Sequence, residues 1–416
     1  MVYIQSKNGQ PIMSTENHAK VRLLLKNNKA FVVKRNPFTI RFRGTSKTYT
    51  QDITLGVDAG SKHIGFSAST ENKELLAVEL QPRNDVTKLM STRREFRSAR
   101  RSRTTRHRKQ RIDNRVHAKH NGWLAPSVEV KIHNHIQGVK LVCDILPVTK
   151  IIVETAEFDL QRLKAMEDGK PLPVGTDYQL GEQYDMYNVR QYVLHKDNYT
   201  CQCCGKKGKG VKFHVHHLES RKTGGNAPDN LITLCSECHT SYHLGKIELP
   251  NTKRKRRSTR DAAFMGIMRK TLLQRLNTLF PNKDISTTCG YITKYTREHV
   301  SMEKSHINDA LCIAGHPNVI RIQKHYLIKP VRVHNRQIHK ATVNKGGIRK
   351  LNQTPKYVFG YQLFDKVKVK GQEAFIYGRR SSGSFDVRLL DGTKLSAGIS
   401  YKKLQLLERR RSLLIA

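Results

Sequence analysis

Residues 201–243 read CQCCGKKGKGVKFHVHHLESRKTGGNAPDNLITLCSECHTSYH, and two chemical sites are threaded through this one stretch. Cys201 and Cys204 form one C-x-x-C pair, and Cys235 with Cys238 forms a second. Two such knuckles bring soft thiolates to a single ion, the arrangement of a closed tetrahedral zinc site. Reduced structural thiols are the plainer alternative, but paired knuckles at this spacing favour the metal. Cys203 is a further thiol inside the first knuckle and leaves open which cysteine of that pair ligates. The thiolates satisfy zinc by themselves, so the histidines among them are free for a second chemistry. His216 and His217 are adjacent, Asn230 follows, and His239 with His243 is an i,i+4 pair on one face of a helix. Cys143, Cys289 and Cys312 lie in apolar contexts and read as ordinary buried cysteines. No disulfide framework is evident and no apolar segment follows Met1, so a reducing, intracellular setting is expected.

Charge bounds the partners. The chain has 416 residues, room for two or three domains, and carries 76 Lys and Arg against 34 Asp and Glu, a formal charge of +42. Self-repulsion on that scale is relieved by a polyanion, so nucleic acid is the expected partner. A membrane-surface role is weaker, because no spanning segment or lipidation signal is present. The charge concentrates in residues 93–111, RREFRSARRSRTTRHRKQR, where Arg93, Arg94, Arg97, Arg100, Arg101, Arg103, Arg106, Arg108, Lys109 and Arg111 face one acid, Glu95. No Gly or Pro interrupts the run, which predicts a helix with arginines on every face. Such a helix cannot bury itself in an apolar core and calls for phosphates on more than one side. A solvated charge run is the alternative. The planar guanidinium fork and the interior position favour RNA contact.

Acids sit at the ends of apolar runs. DITLGVDAGSKHIGFSAST (52–70) predicts two strands about a Gly-containing turn, the first ending at Asp58. VTKIIVETAEF (148–158) places Glu154 after a β-branched run, and HINDALCIAG (306–315) places His306 and Asp309 at i,i+3 where a helix begins. Carboxylates so placed suit divalent ions that clamp the attacking and leaving oxygens of an in-line displacement. Residues 127–146 have the helical period Val128, Ile132, Ile136, Val139, Val142, Ile145, and 262–280 also reads as helix. From about Val331 the chain alternates apolar and polar residues between turns, predicting a small antiparallel barrel or sheet.

The segment HVHHLESRKTGGNAPDNLITLCSECHTSYH (214–243) resembles the HNH, or ββα-metal, endonuclease motif. The resemblance implies His217 as general base and Asn230 as the residue that orients it. It also implies His216, His239 and His243 as ligands of one divalent ion, and His216 departs from the Asp common in that family. Asp58, Glu154, His306 and Asp309 resemble the Mg2+-binding catalytic set of a RuvC nuclease in an RNase H-like fold. Their order, RuvC-I, arginine-rich bridge helix, RuvC-II, HNH, RuvC-III, is similar to that of IscB, the transposon-encoded relatives of type II CRISPR effectors. QPIMS (10–14) is similar to the Pro-Leu-Met-Pro signature that opens those proteins, with Ile12 and Ser14 as departures.

The resemblance implies an α/β multidomain fold, its RuvC core split by the inserted HNH domain. Expected boundaries are a PLMP-like domain at 1–50, RuvC-I at 51–90, the bridge helix at 91–120, and RuvC-II at 121–165. A linker at 166–190, HNH with its zinc site at 191–246, a linker at 247–262 and RuvC-III at 263–328 follow, with a β-rich domain reading a target-adjacent motif at 329–416. There Arg379, Arg380, Arg388 and Lys394 are candidates for base contact, although each reads equally as a solvated strand charge. The implied activity is RNA-guided, Mg2+-dependent cleavage of double-stranded DNA. A guide ωRNA would pair with the target strand, HNH would cut that strand and RuvC the displaced one. A single-copy ribonucleoprotein associated with a prokaryotic nucleoid in the cytoplasm is expected. Two other readings stay open: an RNA-independent HNH endonuclease of a mobile element, and a non-cleaving nucleic-acid chaperone of the same fold.

Overall fold

The computed structural model describes residues 1–101, 122–155, 189–208, 210–219, 230–249, 260–333 and 355–416, with isolated positions 169, 171, 172, 177 and 346 between them. The chain divides into two units, Met1–Leu163 together with Phe264–Ala416, and Lys164–Ala263. The first unit opens on β1 (Val2–Gln5), β2 (Pro11–Thr15), α1 (His18–Lys26), β3 (Ala30–Lys34) and β4 (Thr39–Phe42), which form one sheet in the order β2-β1-β4-β3. Val2, Ile4, Ile12, Val21, Ala30 and Ile40 fill the space between sheet and helix. The expected helix, turn and strand are present, with more strands around them. Asn17 starts α1 as its cap, its side-chain oxygen accepting from the Lys20 N–H at 2.8 Å.

The main sheet begins with β5 (Thr54–Asp58), β6 (Ile64–Ser69) and β7 (Glu74–Leu80), an antiparallel meander whose residues are almost all buried. Next comes α2 (Val86–Arg101), which starts ahead of the arginine run because Val86 and Leu89 supply its first apolar contacts. Then α3 (Pro126–Cys143) has Pro in its first turn, where the missing N–H costs nothing, and leads into β8 (Lys150–Glu154). β8 lies parallel to β5 with Val153 opposite Val57, so Glu154 and Asp58 leave neighbouring strand ends together.

The second unit contains α4 (Val189–Lys196), the hairpin pair β9 (Phe213–His217) and β10 (Leu231–Cys235), and α5 (Ser236–His243). Leu194, Cys201, Phe213, Ile232, Leu234 and Cys235 make its core. The two expected linkers lie largely outside the described residues.

The chain then runs through α6 (Arg260–Leu279), β11 (Asp284–Thr288), α7 (Gly290–His299), α8 (His306–Ile313) and β12 (His325–Pro330). Five strands of the C-terminal module follow, β13 (Lys366–Val369), β14 (Gln372–Arg379), β15 (Ser384–Arg388), β16 (Lys394–Ser400) and β17 (Gln405–Glu408). They form an antiparallel sheet in the order β16-β15-β14-β13-β17 around Val367, Phe385 and Val387. The final strand, β18 (Leu413–Ile415), leaves this module and pairs antiparallel with β12, completing a main sheet ordered β11-β8-β5-β6-β7-β12-β18. No helix of the described residues is long and apolar enough to cross a membrane.

Alternate residues of β6 serve opposite faces, as the pleat of a strand requires. On one face Phe66 packs against α3 at Gly138, where a Cβ would lie 2.2 Å from the Phe66 ring. On the other, Gly56 and Gly65 let α8 descend onto the sheet: a Cβ at Gly56 would sit 1.9 Å from the Ala310 carbonyl oxygen, and one at Gly65 1.8 Å from that of His306. Both partners are backbone and cannot rotate aside. Gly65→Ala is therefore expected to destabilise the protein by about 2 kcal/mol or more, as forced overpacking does, and to displace the start of α8. Thermal unfolding of the purified variant measures this, and an unchanged transition would contradict the packing described.

Candidate active sites

The first site lies at the ends of β5 and β8. Asp58 is the last residue of β5 and its Oδ2 is 2.6 Å from Nδ1 of His306 at the start of α8. Ser305 caps that helix by accepting from the Asn308 N–H, which fixes its first turn over the strand end. The hydrogen bond to Asp58 raises the His306 imidazole above its usual range, favouring the protonated ring. Glu154 is raised by burial first, then by the nearby Asp58 and Asp309 charges, with the Thr293 hydroxyl working the other way. Burial followed by repulsion from Asp58 also raises Asp309. The four sequence-predicted residues thus share one electrostatic neighbourhood built from β5, β8 and α8.

Asp309 also bears on the fit for a divalent ion. Its Oδ1 lies 2.8 Å from Nε of Arg297 on α7, yet both atoms are buried without a hydrogen bond because the angle between them is poor. A buried carboxylate oxygen that accepts no hydrogen bond, in the field of the Asp58 and Glu154 carboxylates and ion-paired with one guanidinium, is chemically compatible with a hard cation that takes oxygen ligands.

The second site is carried by β9, β10 and α5. His216 pairs across the hairpin with Ile232, and α5 brings His239 and His243 against it. Ligand atoms of His216, His239 and His243 all lie within 4.8 Å of one another, and the His239 and His243 Nε2 atoms approach to 3.3 Å. Burial, followed by the neighbouring imidazoles, holds His216 and His239 below the ordinary histidine range, so both are neutral near pH 7 and able to ligate. His217, the next residue on β9, points to the other side of the strand. Asn230 is fully buried, and its carboxamide is spent on the backbone just after His217: Oδ1 accepts from the Glu219 N–H at 2.8 Å and Nδ2 donates to the Glu219 carbonyl at 3.1 Å.

Beside it, the Cys201, Cys204, Cys235 and Cys238 sulfurs lie within 4.8 Å of one another, and Cys203 stands outside that set. The Cys204 and Cys235 Sγ atoms are 3.7 Å apart, matching the edge of about 3.8 Å of a tetrahedron with zinc–thiolate bonds. Gly205, at φ +73°, turns the first knuckle so that its N–H bonds the Cys201 carbonyl at 2.9 Å. Burial raises the Cys201 thiol, but backbone N–H groups of Cys204, Cys235 and Cys203 outweigh it and bring the group to about 6. Burial and the other thiols push Cys238 the opposite way. This cluster is compatible with a structural zinc ion. Of the remaining thiols, Cys143 and Cys312 are buried as expected and Cys289 is only half-buried, because it stands just before α7.

Arg93, Arg94 and Arg97 are exposed around α2, which half-buries only a narrow stripe of Val86, Leu89, Thr92 and Phe96. The helix continues through Arg100 and Arg101, and Arg103, Arg106, Arg108 and Arg111 lie outside the described residues. In the C-terminal module the candidates separate. The Arg379 guanidinium donates to the Pro355, Lys356 and Tyr361 carbonyls, and Arg388 is held by Asp386 at 2.6 Å. Arg380 and Lys394 remain exposed.

Sequence reasoning missed what supports the first site. Glu74 is fully buried on β7, bonded by the Ser67 hydroxyl at 2.6 Å and by Arg321 at 2.7 Å. Arg321 also reaches the Asn308 side chain at 2.9 Å, tying the first turn of α8 to the sheet. His63 and Glu79 were likewise passed over. The only available signal was polarity inside apolar strands, which names a residue to explain without naming its partner.

Residues 2–180 match the family model described as RRXRR protein, and residues 201–244 match that of HNH endonuclease. Anaredoxin of Nostoc sp. is 33% identical over 67 residues, 16% of this chain and 86% of that protein. Streptococcus thermophilus Cas9 in complex with AGGA PAM is similar over 46% of this chain and 26% of that one, with 14% identity and a TM-score of 0.30. The same enzyme with AGAA PAM is similar over 64% and 32%, with 13% identity and a TM-score of 0.31. The Type II-C Cas9 from Actinomyces naeslundii is similar over 48% and 30%, with 16% identity and a TM-score of 0.15. The chain thus spans between 26% and 32% of the length of these Cas9 chains.

The thiol cluster carries a test of its own. Protein purified without chelator is expected to retain tightly bound zinc, and Cys235→Ser to lose it together with the cooperative unfolding of the second unit. Elemental analysis with thermal melts measures both, and a zinc-free wild type with an unchanged melt would exclude a structural ion.

Proposed function

We propose that this chain, whose residues 2–180 match the RRXRR model and 201–244 the HNH endonuclease model, is an RNA-guided DNA endonuclease of the IscB kind with two nuclease sites. The observation that supports this reading is the cluster of His216, His239 and His243, whose ligand atoms lie within 4.8 Å of one another, together with the grouping of Asp58, Glu154 and Asp309 near His306 in the other unit. A binding module or chaperone has no use for both. The arginine faces of α2 and the net charge of +42 supply the polyanion contacts that a bound guide RNA and duplex DNA require.

At the HNH site, His217 takes the proton of the attacking water, and Asn230 holds the chain behind it by its two bonds to Glu219. His216, His239 and His243 would hold one divalent ion. At the RuvC-like site Asp58, Glu154 and Asp309 would hold Mg2+, and His306 stands beside them. Bound ions there supply positive charge against the scissile phosphate and the leaving oxygen. Asp58 occupies Nδ1 of His306 and so leaves Nε2 as the atom that holds or moves a proton. HNH would cut the guide-paired strand and the RuvC-like site the displaced strand, with base pairing, not protein, reading the target.

Two variants separate the roles. On a plasmid library matched to the co-expressed guide, His217→Ala is expected to leave only nicks in the displaced strand, and Glu154→Ala only nicks in the paired strand. The silenced strand should be cut about a hundredfold more slowly or less. Removal of RNA by nuclease treatment should abolish both cuts. Full double-strand cleavage by either variant would refute the assignment of sites, and equal cutting without RNA would leave an RNA-independent HNH endonuclease.

A further inference from the structure

We infer that His63 and Glu79 are positioning residues for His306, holding its imidazole flat in the orientation from which it acts on the bound strand. The inference rests on the proposed role of the RuvC-like site and adds residues that neither metal ligation nor the sequence motif requires. A single hydrogen bond from Nδ1–H to the Asp58 carboxylate anchors one atom of the His306 ring and leaves the plane free to pivot about that bond. The His63 ring removes this freedom: it lies parallel to the His306 ring, 5° between planes, with centroids 5.2 Å apart.

His63 is itself held from both ends. Its backbone is fixed by the tight turn after Asp58, where a Cβ on Gly60 would meet the His63 carbonyl oxygen at 2.1 Å. Its ring is fixed by Glu79, whose Oε1 lies 2.7 Å from His63 Nδ1. Glu79 stands on β7 directly opposite Gly65, the residue whose missing side chain admits the His306 backbone. Sheet, glycine contact and stacked ring therefore locate His306 along three directions. The pair is not core filling, since His63 and Glu79 keep 41% and 30% of their side-chain surface exposed. An ordinary surface ion pair would be of little consequence to either stability or rate.

The experiment uses the ribonucleoprotein in a His217→Ala background, so that only the RuvC-like site nicks, with kcat and KM measured on guide-matched plasmid. His63→Ala is expected to lower kcat about tenfold to a hundredfold, the scale of a misplaced catalytic group, with KM and thermal unfolding unchanged. His63→Phe keeps a flat ring but loses the bond to Glu79, and is expected to recover part of that loss. Glu79→Gln, which keeps a hydrogen bond, should lose least. Unchanged kcat in His63→Ala, or no recovery in His63→Phe, would overturn the inference. If His63→Ala fails to fold, Glu79→Ala decides: loss of the anchor must lower kcat, and an unchanged kcat would overturn the inference. Asp58→Ala is the control: nicking that survives it would sink the reading of the site itself and not merely the role of His63.

Discussion

Everything at the carboxylate site depends on how closely a helix can approach a sheet. Helices rest on sheets through side chains, but α8 comes down at Gly56 and Gly65, where its Ala310 and His306 carbonyls would overlap any added Cβ. That contact spends no side chains and so lets His306 and Asp309, from one helical turn, meet Asp58 and Glu154 at the strand ends. A carboxylate cluster of this kind repels itself and is raised by its own burial. The folding free energy that holds it together comes from the apolar strands and from the bond of buried Glu74 to Arg321, which also reaches Asn308, not from the acids.

The two clusters solve opposite problems. The thiols are closed and self-sufficient: ligands, knuckle turn and core residues Cys201 and Cys235 belong to the same small unit. A small unit with so few core residues is the kind that a structural metal would stabilise. The histidines beside them are built on the same hairpin and helix and grade from buried His216 to exposed His243, so rigidity shared with the thiol cluster serves a site that opens at one end. Threading both through one stretch ties the geometry of the histidines to that of the thiols.

What could be read from sequence follows from locality. Ligand spacing in residues 201–243 is a short-range property, and so are the helix pattern before Glu154 and the strand ending at Asp58, each of which the structure places where expected. Long-range pairings were not legible. Nothing in DAGSKHIG announces that His63 lies on His306, far along the chain, because stacking has no sequence period. Arg379 read as a surface charge until its three carbonyl partners appeared. The start of α2 was placed late because the charge run is louder than the few apolar contacts that begin the helix. Membership of β18 in the main sheet was equally hidden, as a three-residue strand carries almost no signal.

That last strand has a consequence for how such chains diversify. Pro330 leaves the main sheet and Leu413 re-enters it as direct register partners, so the C-terminal module starts and finishes at one point of the sheet edge. Topologically it is a large loop between two paired stems. A recombination event that respects the stems could exchange the whole cassette for one of different size while the main sheet kept every hydrogen bond. Modular exchange of this cassette would then cost the scaffold nothing beyond preserving two short strands.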